Sequence, residues 1–362
     1  MDHHWFSCPA LDGEDLFFVL SEWPILFKLH IPTNKINVEY VLPFDLIIPN
    51  KSDYVSLAKS NDLIIIFPHY GDNIIEYNIE KKSIIKIDIA GRVNKKGNGP
   101  LYNYIYTYKE KIIAQGVMTT TLIVYDTEHS TYSYVNIAKL FHSKYGLELE
   151  EDSFTTGVVE KRFLYIPLKE KNQIIKIDLD NWELDVITVG REGDHWNSIV
   201  FYQDKLYLSA ANNLELLAFG VKNKRTTSIN IAGYADWIAG QERKGWPFSR
   251  LVLVDGTIFG LPFYVDSFVK YDVSGNTFTA EKISLGEPGT VCEAYYSSGQ
   301  FWSFVRQKDE DYILLYNRVR FDKIPINWTK DIVGVLLEYY KETKWGCVES
   351  ITFKINDMLK FI

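Results

Sequence analysis

Two short segments gather the side chains best suited to holding a ligand, REGDHW at 191–196 and ADWIAGQERKGW at 235–246. Arg191, Asp194, His195 and Trp196 lie in the first, and Asp236, Trp237, Glu242, Arg243 and Trp246 in the second. Exposed indole rings beside Arg and Asp suit a sugar, a peptide or a planar ligand, through stacking and a few oriented hydrogen bonds. The competing reading is structural: the tryptophans fill gaps in a core and the charges stay solvated. In an enzyme, His195 or His142 would be the general base, and Arg191 or Arg243 would steady a carboxylate or oxyanion. A divalent metal would need histidine beside Asp194, Asp236 or Glu287, yet no HxH or HxxxH pairing occurs, and adjacent His3 and His4 suit one ion poorly. No metal and no cofactor is therefore expected. The glycines and lysines of GRVNKKGNGP (91–100) lack the GxxxxGK[ST] order of a phosphate loop and read as a connector. No nucleophile elbow is present, so no nucleophilic mechanism is indicated.

What must position these residues is a repeat. A β-rich run ending in an aromatic or aliphatic residue and then, in most copies, a small polar residue recurs seven times: FKLHI, IEYNI, IVYDT, IKIDL, LAFGV, VKYDV and LLYNR. With Leu29, Tyr77, Tyr125, Ile177, Phe219, Tyr271 and Tyr316 as equivalents, the steps are 48, 48, 52, 42, 52 and 45 residues. That period belongs to a four-stranded propeller blade and is too long for most helical repeats. Within each repeat, strand-like runs alternate with short polar turns such as LDGED, KSND and VDGT, which predicts an antiparallel meander. One such sheet cannot cover both of its faces, and radial packing of seven does. The predicted fold is therefore all-β: a seven-bladed β-propeller of four-stranded antiparallel blades over residues 1–329. After it, residues 330–362 form a short C-terminal helical tail, predicted from the helical spacing of Ile332, Leu336 and Tyr339 or Tyr340 and packed on the propeller.

VYDTEHSTYSYV (124–135) and KYDVSGNTFTAEKI (270–283) resemble the third-to-fourth strand pattern of kelch-like propellers. The paired glycines of kelch blades are missing, as are the Trp-Asp signature of another propeller family and the Asp-box of sialidases. The resemblance implies a divergent propeller and carries over no specific activity.

Propeller topology sorts residues by face. Loops between blades share a face with the turns joining second and third strands; the remaining turns lie opposite. The loop face then holds Pro43–Asp53, Gly91–Pro100, Ala138–Asp152, Gly190–Trp196 and Gly233–Ser249, together with His69, His142 and His195. Long loops on a rigid scaffold are where binding residues usually sit. The opposite face reads as plain turns.

With 46% apolar and 15% aromatic residues the chain has ample material for a core, and a net charge of -8 argues against a general grip on nucleic acid. No apolar run is long enough to span a membrane and no basic leader precedes an apolar stretch. Cys8, Cys292 and Cys347 show no CxxC spacing and read as free thiols in a reducing cytoplasm, with Cys8 and Cys292 expected on neighbouring first strands. The abundance of Ile, Lys, Asn and Tyr fits an AT-rich bacterial genome. The expectation is a cytoplasmic, non-catalytic binding or scaffold protein recognising a protein, peptide or small polar ligand on the long-loop face, without nucleic acid or membrane. The alternative is a lyase- or hydrolase-type propeller enzyme at the mouth of the central channel.

Overall fold

A computed structural model describes residues 9–20, 23–43, 54–68, 71–93, 102–150, 153–211, 215–229, 248–262, 267–282, 290–297, 300–306, 311–316, 321–325 and 334. Seven four-stranded antiparallel sheets follow one another along the chain, spanning 10–41, 54–88, 102–136, 158–188, 196–229, 248–282 and 290–325. Each consists of four consecutive strands, so the first and last sheets contain no strand borrowed from the other. The predicted C-terminal tail lies outside the described residues.

The recurring phrase falls on the third strand every time. Leu29 pairs with Leu16, Tyr77 with Ile64, Tyr125 with Ile112, Ile177 with Leu164, Phe219 with Leu206, Tyr271 with Ile258 and Tyr316 with Phe301. In each pair the partner is the second residue of the second strand, so the seven positions are structurally equivalent. The polar residue that follows has a turn to close. Asn78 Oδ1 accepts from Lys81 N at 2.7 Å, Asp126 Oδ1 from Glu128 N and His129 N, Asp178 Oδ1 from Asp180 N, and Asp272 Oδ1 from Ser274 N. Such side chains mimic a backbone turn, and this is why the phrase carries Asn or Asp.

Strand alternation produces the radial packing. In the second sheet Ile64, Ile66, Ile75 and Tyr77 pack on Phe17, Val19 and Leu26 of the first sheet. Their neighbours Ile65, Phe67 and Ile74 face the other way, onto Ile112, Ala114, Ile123 and Tyr125 of the third. Successive side chains of a strand point to opposite faces, so a sheet buried on both sides needs continuous apolar runs. Similar clusters join the third sheet to the fourth, the fourth to the fifth and the fifth to the sixth. The fourth strand is the exposed edge: in Ser83–Asp88 only Ile84 and Ile87 are half-buried and the rest are exposed. First strands of successive sheets lie side by side around the centre. This is a β-propeller.

One hydrogen bond repeats on the face opposite the loops. The residue two beyond each of the first six marked positions donates its N–H to the second residue of the hairpin joining first and second strands. The pairs are Ile31 to Glu14, Ile79 to Asp62, Thr127 to Glu110, Leu179 to Arg162, Val221 to Asp204 and Val273 to Gly256. These bonds put both sets of turns on one face, as the topology requires. Each hairpin turn has two residues, and Gly13, Asn61, Lys109, Lys161, Gln203 and Asp255 begin theirs at positive φ, as tight hairpins demand.

A belt of hydrogen bonds crosses between sheets near the loop face. Ser56 Oγ donates to Tyr102 O, Gln115 Nε2 to Thr155 O, Thr155 Oγ1 to Trp196 O, and Leu251 N to Ser198 Oγ. It ties the second sheet through to the sixth without leaving these buried groups unpaired.

Candidate functional site

The described part of the loop face centres on the fourth sheet, flanked by connector 137–157 before it and connector 189–195 after it. The second connector is a tightly bonded turn. Gly190 adopts φ +82, and a Cβ there would collide with Asp194 Oδ2 and approach Trp196 Cζ2 within 2.8 Å, so only glycine fits. Asp194 is buried; its Oδ2 accepts the Arg191 N–H at 2.6 Å, while Asp194 N donates to Arg191 O at 3.1 Å. Asn172 Nδ2 donates to Arg191 O, and Ala211 N to His195 O at 2.7 Å.

Of the two readings of Trp196, an exposed ring or a core filler, the second holds: its relative exposure is 0% and its Nε1 donates to Val189 O at 3.1 Å. The indole packs with Tyr165, Ile174, Leu206 and Leu208 at the junction of the fourth and fifth sheets. A register shift between Trp196 and Ser198 gives the strand an extra residue where it enters the sheet. The structural reading of this tryptophan is therefore the correct one.

Asp194 likewise braces the turn from inside. Arg191 is the residue this frame holds outward, with its side chain 81% exposed and its Nη2 3.7 Å from Glu215 Oε2. Glu215 precedes the third strand of the fifth sheet, so a blade-to-blade loop and a second-to-third strand turn do share this face. His195 is half-buried beside them. Asp236, Trp237, Arg243 and Trp246, with Glu242, lie outside the described residues, as do His3, His4, His69 and Glu287. Cys292 sits on the first strand of the seventh sheet, while Cys8 lies outside the described residues.

The connector before the fourth sheet contains a helix, Ile137–Tyr145, where the sequence reading has only a long loop. Asn136 caps it by accepting the Lys139 N–H at 3.0 Å, and Gly146 ends it at φ 67. Ile137 and Phe141, four apart, bury into the junction of the third and fourth sheets. Lys144 Nζ ties the far end down to Leu184 O and Asp185, and that ion pair draws the Asp185 carboxyl below its usual range. Tyr145 and Leu147 are left 38% and 61% exposed, two of the four large apolar residues exposed among the described residues. His142 Nδ1 lies 3.0 Å from Glu148 Oε1. The candidate bases His142 and His195 stand in separate connectors on either side of the fourth sheet, and no group of three or more metal-ligating side chains converges among the described residues. No helix among them is long and apolar enough to cross a membrane.

Solved structures share this fold at very low identity. Streptogramin B lyase aligns with a TM-score of 0.56 at 10% identity, covering 83% of this chain and 89% of that one. A chain of the mitotic checkpoint complex gives 0.55 at 8%, covering 84% and 85%, and the WD40 repeats of RRP9 give 0.56 at 10%, covering 84% and 88%. At these identities the likeness shows the propeller fold alone. No family model matches the sequence, and no curated protein matches it.

Proposed function

We propose that the chain is a non-catalytic binding module whose loop face, over the fourth sheet, holds a protein or peptide partner. The observation that carries this reading is the braced connector after the fourth sheet, which holds the Arg191 guanidinium outward on the loop face, 3.7 Å from Glu215. Aromatic residues and Arg are the side chains that anchor protein interfaces, and a rigid support lowers the ordering cost of binding. The bonded 190–196 turn supplies that rigidity. Asp236, Trp237, Arg243 and Trp246, with His195, belong to the same proposed face. Cysteines without CxxC spacing suit a cytoplasmic setting.

The test is quantitative affinity capture with the wild-type chain, Arg191→Glu and Arg191→Ala. The side chain is exposed, so both variants should keep the wild-type unfolding midpoint. A partner enriched by wild type should fall about tenfold or more with each variant. Unchanged enrichment, or turnover of a metabolite by the purified protein without any partner, would overturn the proposal.

A further inference from the structure

The face expected to carry only plain turns contains an open cleft of about 440 Å³. Its walls come from three successive inner hairpins: Glu160 and Lys161 of the fourth sheet, Phe201 to Asp204 of the fifth, and Leu253 of the sixth. It therefore lies on the opposite side of the propeller from Arg191, and in a size range typical of small-molecule sites.

The lining groups divide into occupied and available. Asp204 is held by Lys222 at 2.6 Å, which keeps its carboxyl below the usual range, with the nearby Lys161 charge adding to the effect. Phe201 is fixed from behind by stacking on Tyr165, at 6.1 Å between centroids. Tyr202 leans over the neighbouring hairpin, where Gly256, at φ +81, leaves the room; a Cβ there would come within 2.9 Å of the phenol oxygen. By contrast, the Glu160 carboxylate, the Lys161 ammonium, the Gln203 amide and the Tyr202 hydroxyl make no hydrogen bond or ion pair among the described residues. Lys161 and Gln203 project from positive-φ turn positions, φ 54 and 48, which fix the backbone that carries them.

One carboxylate and one ammonium, adjacent in sequence and both without a hydrogen bond or ion pair among the described residues, face a cleft that also has an aromatic and an aliphatic wall. A ligand that satisfies all of these carries an ammonium for Glu160 and a carboxylate for Lys161. An apolar side chain would lie between Phe201 and Leu253, and an amide would suit Gln203. We infer that this cleft is a second site, separate from the loop face, for a small zwitterion of the amino-acid or short-peptide class. A neutral sugar would use the rings but offer neither charge an oppositely charged group of its own.

The experiment is calorimetric titration of the whole chain with alanyl-phenylalanine, alanyl-leucine and leucyl-alanine, each free, N-acetylated and C-amidated, with maltose as the neutral probe. At least one free dipeptide should bind saturably, and either cap should weaken it about tenfold, the scale of one charge-assisted contact. Glu160→Gln should weaken the free form about tenfold and leave the acetylated form unchanged. Lys161→Met should do the same for the free and amidated forms. Arg191→Glu should change nothing, so the failure of this site and that of the loop-face proposal are separable. No saturable binding by any of the three, equal binding of free and capped forms, or tighter binding of maltose would overturn the inference.

Discussion

On the turn face, six sheets make the same N–H to carbonyl bond between equivalent residues, and the side chains that help are the Asn and Asp of the repeated phrase. On the loop face, the connector after the fourth sheet is held by contacts of its own: Arg191 N to Asp194, Asn172 to Arg191 O, Trp196 to Val189 O. Three sheets do share one bond there, from the residue after the fourth strand to the residue before the third: Ile89 to Asp72, Ile137 to Thr120 and Val189 to Asn172. Beyond that bond the connectors diverge. A face built by repetition tolerates little change in length, whereas connectors of free length can carry individual side chains, provided that each is braced separately.

The largest expected effect of breaking this contrast is at Trp196. Trp196→Ala empties a buried site between two sheets and removes the donor to Val189 O, and should cost about 3–5 kcal/mol in urea unfolding. Gly190→Ala should follow at about 1–3 kcal/mol, because it forces a Cβ into a left-handed position against Asp194 and Trp196. Ser198→Ala, which leaves the buried Leu251 N–H without its acceptor, should cost about 1–2 kcal/mol. On the repeated face, Asn78→Ala should cost about 0.5–1 kcal/mol, since one turn among seven loses a partly exposed bond. If Asn78→Ala proved as damaging as Gly190→Ala, the two faces would not differ as described.

The smallest effect near neutral pH comes from the tyrosines packed between sheets. Burial pushes the Tyr207 hydroxyl up to about 12, with the Tyr271 and Tyr202 neighbours adding to it. Burial also raises Tyr77 and Tyr132, helped by the carboxylates of Glu39 and Glu76 that accept from them. The folded state holds these protons more tightly than the unfolded chain, so the contribution is whole below pH 10, the ordinary tyrosine value, and is lost as pH rises towards 12. Urea midpoints should be flat on the acid side of that window and fall within it, and Tyr77→Phe should fall less steeply than wild type.

The sheets were legible in the sequence because two independent signals coincide in them. Leu29 to Tyr316 keep one register, and the residue after them closes a turn by a local hydrogen bond that needs no tertiary context. The sequence leaves Trp196 open between two readings because residue type does not show direction: an indole beside Arg191, Asp194 and His195 looks alike whether it points to solvent or into a sheet junction. Its inward direction follows from the positive φ of Gly190 and the extra residue at the strand entrance. The helix at Ile137–Tyr145 was passed over because nine residues between strands give a short periodic signal, although Asn136, Phe141 and Gly146 mark its cap, its buried face and its end. The turn-face cleft left no mark, since Glu160, Lys161 and Gln203 read individually as turn residues and converge only when three sheets are assembled.

The central claim, that the loop face over the fourth sheet recognises a macromolecule and the turn face does not, is tested most directly by photo-crosslinking at one position on each. Benzoylphenylalanine would replace the exposed Glu192, next to Arg191, in one variant and the exposed turn residue Glu128 in another, and both would be irradiated in lysate of the source cells. A discrete protein adduct at 192 with none at 128 is the predicted result; equal adducts at both positions, or an adduct at 128 alone, would contradict it.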